Sequence, residues 1–332
     1  MKELQCGVIG LGRLGMKHAL TLAGMCGAKL SAVYDTLPEQ CAKLQERVSG
    51  VRVCTDYHDM FSAKDVDAVV IASPTSLHAT MLMEAMESGK FIFCEKPLTL
   101  DADEMNMLQA TYEKTHAFVQ VGFMRRFDAA YVEAKRRIDS GELGEPVSMR
   151  CVSRDPSCPP IEFAKKSGGL VLDLCIHDID LTHWFLGSTV ERVHAHGGVL
   201  MYPELAAIDD IDHVDLELCC ENGTLAAIEG SRNSHYGYDV RTEIVCTKGA
   251  VFIGAVQQEQ CLVMTAHGQS QNTVQNFLDR FNNAYVRELE YFVETACAGT
   301  KPSVSVSEGL AAVRVATAAN ASLKTGMTVK CV

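Results

Sequence analysis

Two short stretches of this chain place ionisable side chains where they could do chemistry. Asp173 and His177 stand four residues apart in GGLVLDLCIHDIDLTHW, a segment that reads as a helix after a glycine pair. That spacing puts both side chains on one helix face. A carboxylate beside an imidazole orients the ring and favours its protonated form, and such a pair suits the removal of an alcohol proton. A helix-surface ion pair has the same spacing. Asp178, Asp180 and His183 could add metal ligands, but no second cluster with ligand spacing is visible, so no metal is expected. The other stretch is Glu95-Lys96-Pro97, which follows the apolar run Phe91 to Cys94. In open α/β sheets ligands sit at the C-terminal ends of the strands. A lysine there can hydrogen-bond a reacting hydroxyl and stabilise the charge that develops on it. The competing reading is a solvated surface lysine.

A third pattern concerns a cofactor. Gly10-x-Gly12-x-x-Gly15 lies directly after a predicted strand and before a predicted helix. The first glycine permits the turn, the second lets backbone approach a pyrophosphate, and the third lets helix pack on strand. The helix N-terminus offers N–H groups and the positive end of its dipole. Gly10, Gly12, Arg13, Leu14 and Gly15 are therefore the expected phosphate-side contacts. Asp35, 20 residues after Gly15 at the end of the second apolar run, can accept hydrogen bonds from both ribose hydroxyls of NAD. It would repel a 2′-phosphate, so NAD is favoured over NADP, although Arg13 brings a cation to the adenosine side. Ser73, Pro74 and His78 lie at another strand end. With Glu95 and Lys96 they are expected to line the cofactor cleft; for His78 a structural role at a helix start is equally open.

The elements that must position these residues follow from pattern. Apolar runs at Leu4 to Ile9, Lys29 to Tyr34, Val51 to Cys54, Ala68 to Ala72, Phe91 to Cys94 and Ala117 to Gly122 alternate with helical stretches. Strands separated by helices of ten or more residues indicate parallel βαβ units. After about Gly122 the texture changes. A basic helix, Asp128 to Ser140, precedes strands at Val147 to Val152, Val190 to His196, Asp212 to Cys220, Thr224 to Ser231, Val240 to Cys246 and Ala250 to Ile253. Short turns such as Glu221-Asn222-Gly223 argue for an antiparallel sheet. Helices return at Asn282 to Ala298 and Ser307 to Thr325. Arg125 and Arg126, with Lys135, Arg136 and Arg137, read as a solvated helix face.

Length and composition bound the answer. The 332 residues suffice for two domains. A net charge of −12 repels phosphate backbones, which argues against general nucleic-acid binding. No apolar run of about 18 residues is present, so no membrane span is expected. The 14 cysteines include no C-x-x-C pair and several lie in apolar runs, which points to free thiols and a cytoplasmic setting.

GVIGLGRLG with Asp35, then CEKPL, then GGLVLDLCIHDIDLTHW resemble the Gfo/Idh/MocA oxidoreductases, over nearly the whole chain. SHYGYDVRTEIVCTKGAV and RFNNAYVRELEYFVETACAG are similar to the inositol 2-dehydrogenase branch. The resemblance implies an N-terminal Rossmann domain, 1–123, that binds NAD. It implies a substrate-binding and oligomerisation domain, 124–332, with an open, mostly antiparallel sheet; the C-terminal helix packs back on the first domain. It also implies a homotetramer joined through those sheets. Lys96 matches the family's catalytic lysine, Asp173 its acid, and His177 its proton acceptor. Arg125, Tyr236 and Tyr238 match residues near the polyol, and the implied substrate set adds Ser153 and Asp155. Some inositol dehydrogenases carry His-Arg-Asn-Pro where this chain has Ser153-Arg154-Asp155-Pro156. Asp155 only accepts hydrogen bonds where an amide also donates, which leaves the preferred stereoisomer open. The activity implied is NAD-dependent oxidation of a secondary hydroxyl, myo-inositol to scyllo-inosose. Scyllo-inositol, glucose or another pyranose or anhydrosugar is the alternative substrate. A non-catalytic NAD-binding sensor is the rival from another class.

Overall fold

A computed structural model describes residues 3–254 and 262–331. The chain divides into two compact units: Met1–Met124 with Tyr285–Leu310, and Arg125–Ala284 with Ala311–Val332. The sequence places one boundary, after 123; the first unit here also takes in residues 285–310.

In the first unit six strands form one sheet: β1 (Leu4–Ile9), β2 (Ala28–Tyr34), β3 (Arg52–Val53), β4 (Ala68–Ile71), β5 (Phe91–Glu95) and β6 (Val119–Gly122). Their order is β3-β2-β1-β4-β5-β6 and every pairing is parallel. This is the doubly wound order, in which the chain reverses direction across the sheet between β1 and β4. The connecting helices are α1 (Arg13–Gly24), α2 (Pro38–Gln45), α3 (His58–Ser62), α4 (His78–Glu87) and α5 (Ala102–Thr115). β4 is buried at every residue, as a strand covered on both faces must be. The core around Val8, Leu22, Val33 and Phe93 is completed by Leu289, Phe292, Val293 and Ala296.

The second unit begins with α6 (Ala129–Asp139), β7 (Pro146–Arg154) and α7 (Ile161–Ser167). A π turn, Val171–Cys175, then runs into α8 (Ile176–Leu186). The strands β8 (Val190–Gly198), β9 (His213–Cys220), β10 (Leu225–Ser231), β11 (Asp239–Cys246) and β12 (Ala250–Ile253) follow. A small hairpin joins β13 (Val263–Thr265) and β14 (Gly268–Ser270). The long helices α9 (Phe277–Ala298) and α10 (Val306–Thr325), whose residues 285–298 and 306–310 belong to the first unit, precede β15 (Val329–Lys330). The seven-stranded sheet has the order β12-β11-β7-β10-β9-β8-β15. All its pairings are antiparallel except β7 with β10. Alternation along β9 buries Val214, Leu216, Leu218 and Cys220 and turns Asp215 and Glu217 outward. No helix among the described residues is long and apolar enough to cross a membrane.

Candidate functional site

The glycine turn sits between β1 and α1, where the sequence places it. Gly10 has φ +89, and a Cβ there would come within 2.7 Å of the Ala72 carbonyl oxygen. At Gly15 a Cβ would meet the Gly10 carbonyl oxygen at 1.9 Å. Nothing lies within 4 Å of a Cβ built on Gly12, so backbone is open to a ligand at the middle glycine. Gly12 is also the N-cap of α1 and makes no side-chain cap bond. The N-terminal end of the helix, with its N–H groups and dipole, suits an anion such as a pyrophosphate. Asp35 is fixed beside the turn: Oδ2 accepts from the Leu11 N–H at 2.6 Å and Oδ1 from the Leu37 N–H at 2.8 Å. A cleft of about 300 Å³ opens here, lined in part by Gly12, Arg13, Gln40, Lys43 and Arg47. Lys43 and Arg47 escape the sequence reading, although their spacing of four residues was a usable sign that both face one side.

At the other strand ends the residues take different parts. His78 is 2 % exposed, with Nδ1 2.8 Å from the Pro97 carbonyl oxygen and Nε2 2.8 Å from that of Ser73. Burial holds its pKa below the ordinary value, against the pull of the two carbonyls. The ring stands between the Ser73-Pro74 turn after β4 and the Lys96-Pro97 turn after β5, so these contacts are of the structural kind. Glu95 is 5 % exposed and lies 2.6 Å from Nε2 of His18 on α1. Its carboxylate is therefore occupied inside the unit, while Lys96, the next residue, is only partly buried. His18, Glu95 and Glu288 bring their ligand-type atoms within 4.8 Å of one another. Glu288 is wholly buried, and its carboxyl oxygens make no hydrogen bond among the described residues. Burial, then the charge of Glu95, push its pKa well up against the pull of Lys17.

In the second unit Asp173 lies in the π turn and His177 in the first turn of α8. A π turn inside a helical run is a frequent mark of a functional site. The Asp173 side chain is 23 % exposed and His177 is 6 % exposed, so both are shielded yet within reach of a ligand. The residues just beyond are anchored. Arg125 Nη1 donates to Asp178 Oδ1 at 2.6 Å and Nη2 to Ser153 Oγ at 3.1 Å; Ser153 Oγ donates to Asp178 Oδ2 at 2.6 Å. Arg126 grips Asp180 through two bonds of 2.8 and 2.6 Å. The expected solvated face for Arg125 and Arg126 is thus corrected: both are buried and paired with the helix that carries His177. Long-range pairing to Asp178 and Asp180 is the reason. Arg136 and Arg137 do lie outside, on Glu133.

Tyr236 is half exposed; its hydroxyl donates to Asp239 Oδ2 at 2.6 Å and accepts from Arg154 Nη1 at 2.7 Å. Tyr238 is buried against Phe281 and beside Arg125, and burial pushes its phenol pKa up. Asp155 sits on the backbone bridge from β7 to the segment after β10: its N–H donates to the Ser231 carbonyl and its carbonyl accepts from Ser234. Arg232, which the sequence does not single out, is fully buried between Asp210 and Asp173.

Residues 4–123 match the model of the oxidoreductase family with an NAD-binding Rossmann fold, and residues 131–252 match the GFO/IDH/MocA C-terminal domain. The chain is 38% identical over 329 residues to the scyllo-inositol 2-dehydrogenase (NAD(+)) of Bacillus subtilis, covering 99% of this chain and 96% of that one. It is 33% identical to the myo-inositol 2-dehydrogenase of Thermotoga maritima, with 98% of each chain covered. The chain belongs to the Gfo/Idh/MocA oxidoreductases. A crystal structure of the scyllo-inositol dehydrogenase of Lactobacillus casei, with bound NAD(H) and scyllo-inositol, matches with a TM-score of 0.93 at 34% identity, over 99% of both chains. The first unit of this Gfo/Idh/MocA protein is accordingly its NAD-binding domain, and the N-terminal end of α1 with its open Gly12 and the fixed Asp35 fit that cofactor.

Proposed function

We propose that the chain oxidises one secondary hydroxyl of an inositol, with myo-inositol and scyllo-inositol the leading substrates. The observation that carries this reading is the shielded Asp173 and His177 on one helical run, in a chain collinear with dehydrogenases named for those two polyols. NAD, when bound, supplies the hydride acceptor at C4 of its nicotinamide. His177 takes the proton of the reacting hydroxyl, so the O–H bond breaks as an N–H bond forms. Asp173 orients the ring. Lys96 donates to the same oxygen and stabilises its developing negative charge until the carbonyl forms. Arg125 and Ser153 act one step back, by fixing Asp178 next to His177. Tyr236, Tyr238 and Asp155 select among ring hydroxyls. The homotetramer implied by the resemblance is part of this proposal; Leu225, Val245 and Phe252 stand exposed on one face of the seven-stranded sheet.

The test is absorbance of the reduced nicotinamide with purified protein, NAD or NADP, and a panel of inositols and hexoses. Oxidation with NAD and an inositol is expected, faster as pH rises through the range where His177 loses its proton. Lys96→Met should abolish most turnover and leave NAD binding intact. Bound NAD with no polyol oxidised would overturn the reading in favour of a sensor.

A further inference from the structure

Arg232 follows β10 and is completely buried. Its backbone N–H donates to the Asp212 carbonyl at 2.9 Å. Nη1 donates to Asp210 Oδ2 at 2.7 Å. Nη2 lies 3.8 Å from Asp173 Oδ2 and makes no hydrogen bond among the described residues. A buried guanidinium N–H without an acceptor is costly, so its placement at that carboxylate calls for a reason. Asp210 supplies the other half of the arrangement. Its Oδ1 accepts from the N–H groups of Leu170 at 2.9 Å and Ile211 at 2.8 Å. Gly169 has φ +83, and a Cβ there would stand 2.9 Å from that same oxygen. Asp210 therefore clamps the backbone immediately before the π turn. Arg232 then spans from this clamp to the one carboxylate that the turn carries.

We propose that Arg232 is a positioning residue for the oxidation step: it holds the Asp173 carboxylate at a fixed place and offsets part of its charge, so that Asp173 orients His177 without trapping a proton on it. This rests on the reading of Asp173 and His177 as the acid–base pair. A proton acceptor has to be neutral before the step, yet an adjacent carboxylate on its own favours the imidazolium. A buried cation beside that carboxylate counters the bias, and the rigid guanidinium, held on Asp210 through Nη1, keeps it in one geometry. Other ionisable groups face this arrangement as well. The Cys158 thiol lies against Arg232, with Glu204 acting on it, and burial raises its pKa most. Asp178, Arg125 and Asp155 act, with Arg232, on the Cys175 thiol at the end of the π turn.

The experiment compares wild type, Arg232→Gln, Arg232→Lys and the Asp210→Asn/Arg232→Gln double variant. Turnover with NAD and myo-inositol or scyllo-inositol is measured against pH, with NAD binding followed separately. Loss of the cation should move the rising limb of the profile upward by about one pH unit, so turnover at a fixed pH on that limb falls about tenfold. Arg232→Lys should return the limb most of the way, with reduced maximal turnover and unchanged KM for NAD. A folded Arg232→Gln protein whose limb coincides with wild type overturns the proposal, even if its turnover is low. If Arg232→Gln does not fold, the double variant, which leaves no lone buried charge, decides by the same limb. Wild type that binds NAD and oxidises neither inositol overturns the functional reading itself; an active wild type with an unmoved limb overturns only the role of Arg232.

Discussion

In the first unit Glu95 and Glu288 share a buried space with His18, whereas in the second unit Asp178, Asp180 and Asp210 each face a buried arginine. In the first arrangement burial and the charge of Glu95 raise the pKa of Glu288 against the pull of Lys17, which favours its protonated form. The second is settled by guanidinium groups, which stay charged at any pH a protein meets. Burial of an acid is thus achieved by two routes with different sensitivities. A retained proton makes stability depend on pH, and an ion pair makes it depend on both partners being present.

The largest effect should come from breaking a pair. Asp178→Ala leaves Arg125 buried without its anion and should cost about 3–5 kcal/mol in denaturant unfolding. A loss near the ~1 kcal/mol of an exposed pair would put Asp178 with surface charges instead. A smaller and opposite effect is expected at Glu288. Its folded pKa lies above the ordinary value of 4.5, so above that pH the native state holds a proton that the unfolded chain has released. Stability contributed there is full at low pH and falls as pH rises toward the folded value. Glu288→Gln keeps the group neutral throughout, so its melting temperature should gain on wild type as pH is raised. A constant difference from pH 5 to 8 would mean that Glu288 is ionised in the fold. The smallest effect is set by Asp101, an exposed acid that caps α5 through the N–H groups of Asp103 and Glu104. Asp101→Ala should cost about 1 kcal/mol, read by thermal unfolding with no change in pH dependence of the kind Glu288 confers.

What the sequence shows of this fold follows from how local each signal is. The strands around the glycine turn are legible because each is a short apolar run closed by glycine, proline or an acid. The runs at 190–196, 224–231 and 250–253 fall inside or within a residue of β8, β10 and β12. The parallel pairing of β7 with β10 is not legible, since β8 and β9 intervene in sequence and nothing local marks the partner. α7, the β13–β14 hairpin and the π turn are also missed; one extra residue in a helical turn barely alters the periodicity. Within the candidate site, Asp173 and His177 announce themselves by spacing, and Asp35 by its distance from Gly15. The burial of Arg125 and Arg126 depends on aspartates 53 and 54 residues away, and a run of basic residues looks solvated until those partners are known. Arg232 is hidden for the same reason, with Asp210 22 residues back, before β9, and Asp173 farther off.

The first unit is discontinuous, with residues 285–310 returning to it after the whole of Arg125–Ala284 has been threaded through the second. During synthesis, therefore, its N-terminal strands leave the ribosome without Leu289, Phe292, Val293 and Ala296, the side chains that close its core. At a translation rate of ~5–20 residues per second, the last of those strands waits about 9–35 seconds for them, and the earlier ones longer. A nascent chain of this kind has a hydrophobic sheet face to shelter over that interval, and a gene fragment ending at codon 124 would encode a nucleotide fold that lacks its own lid of apolar side chains.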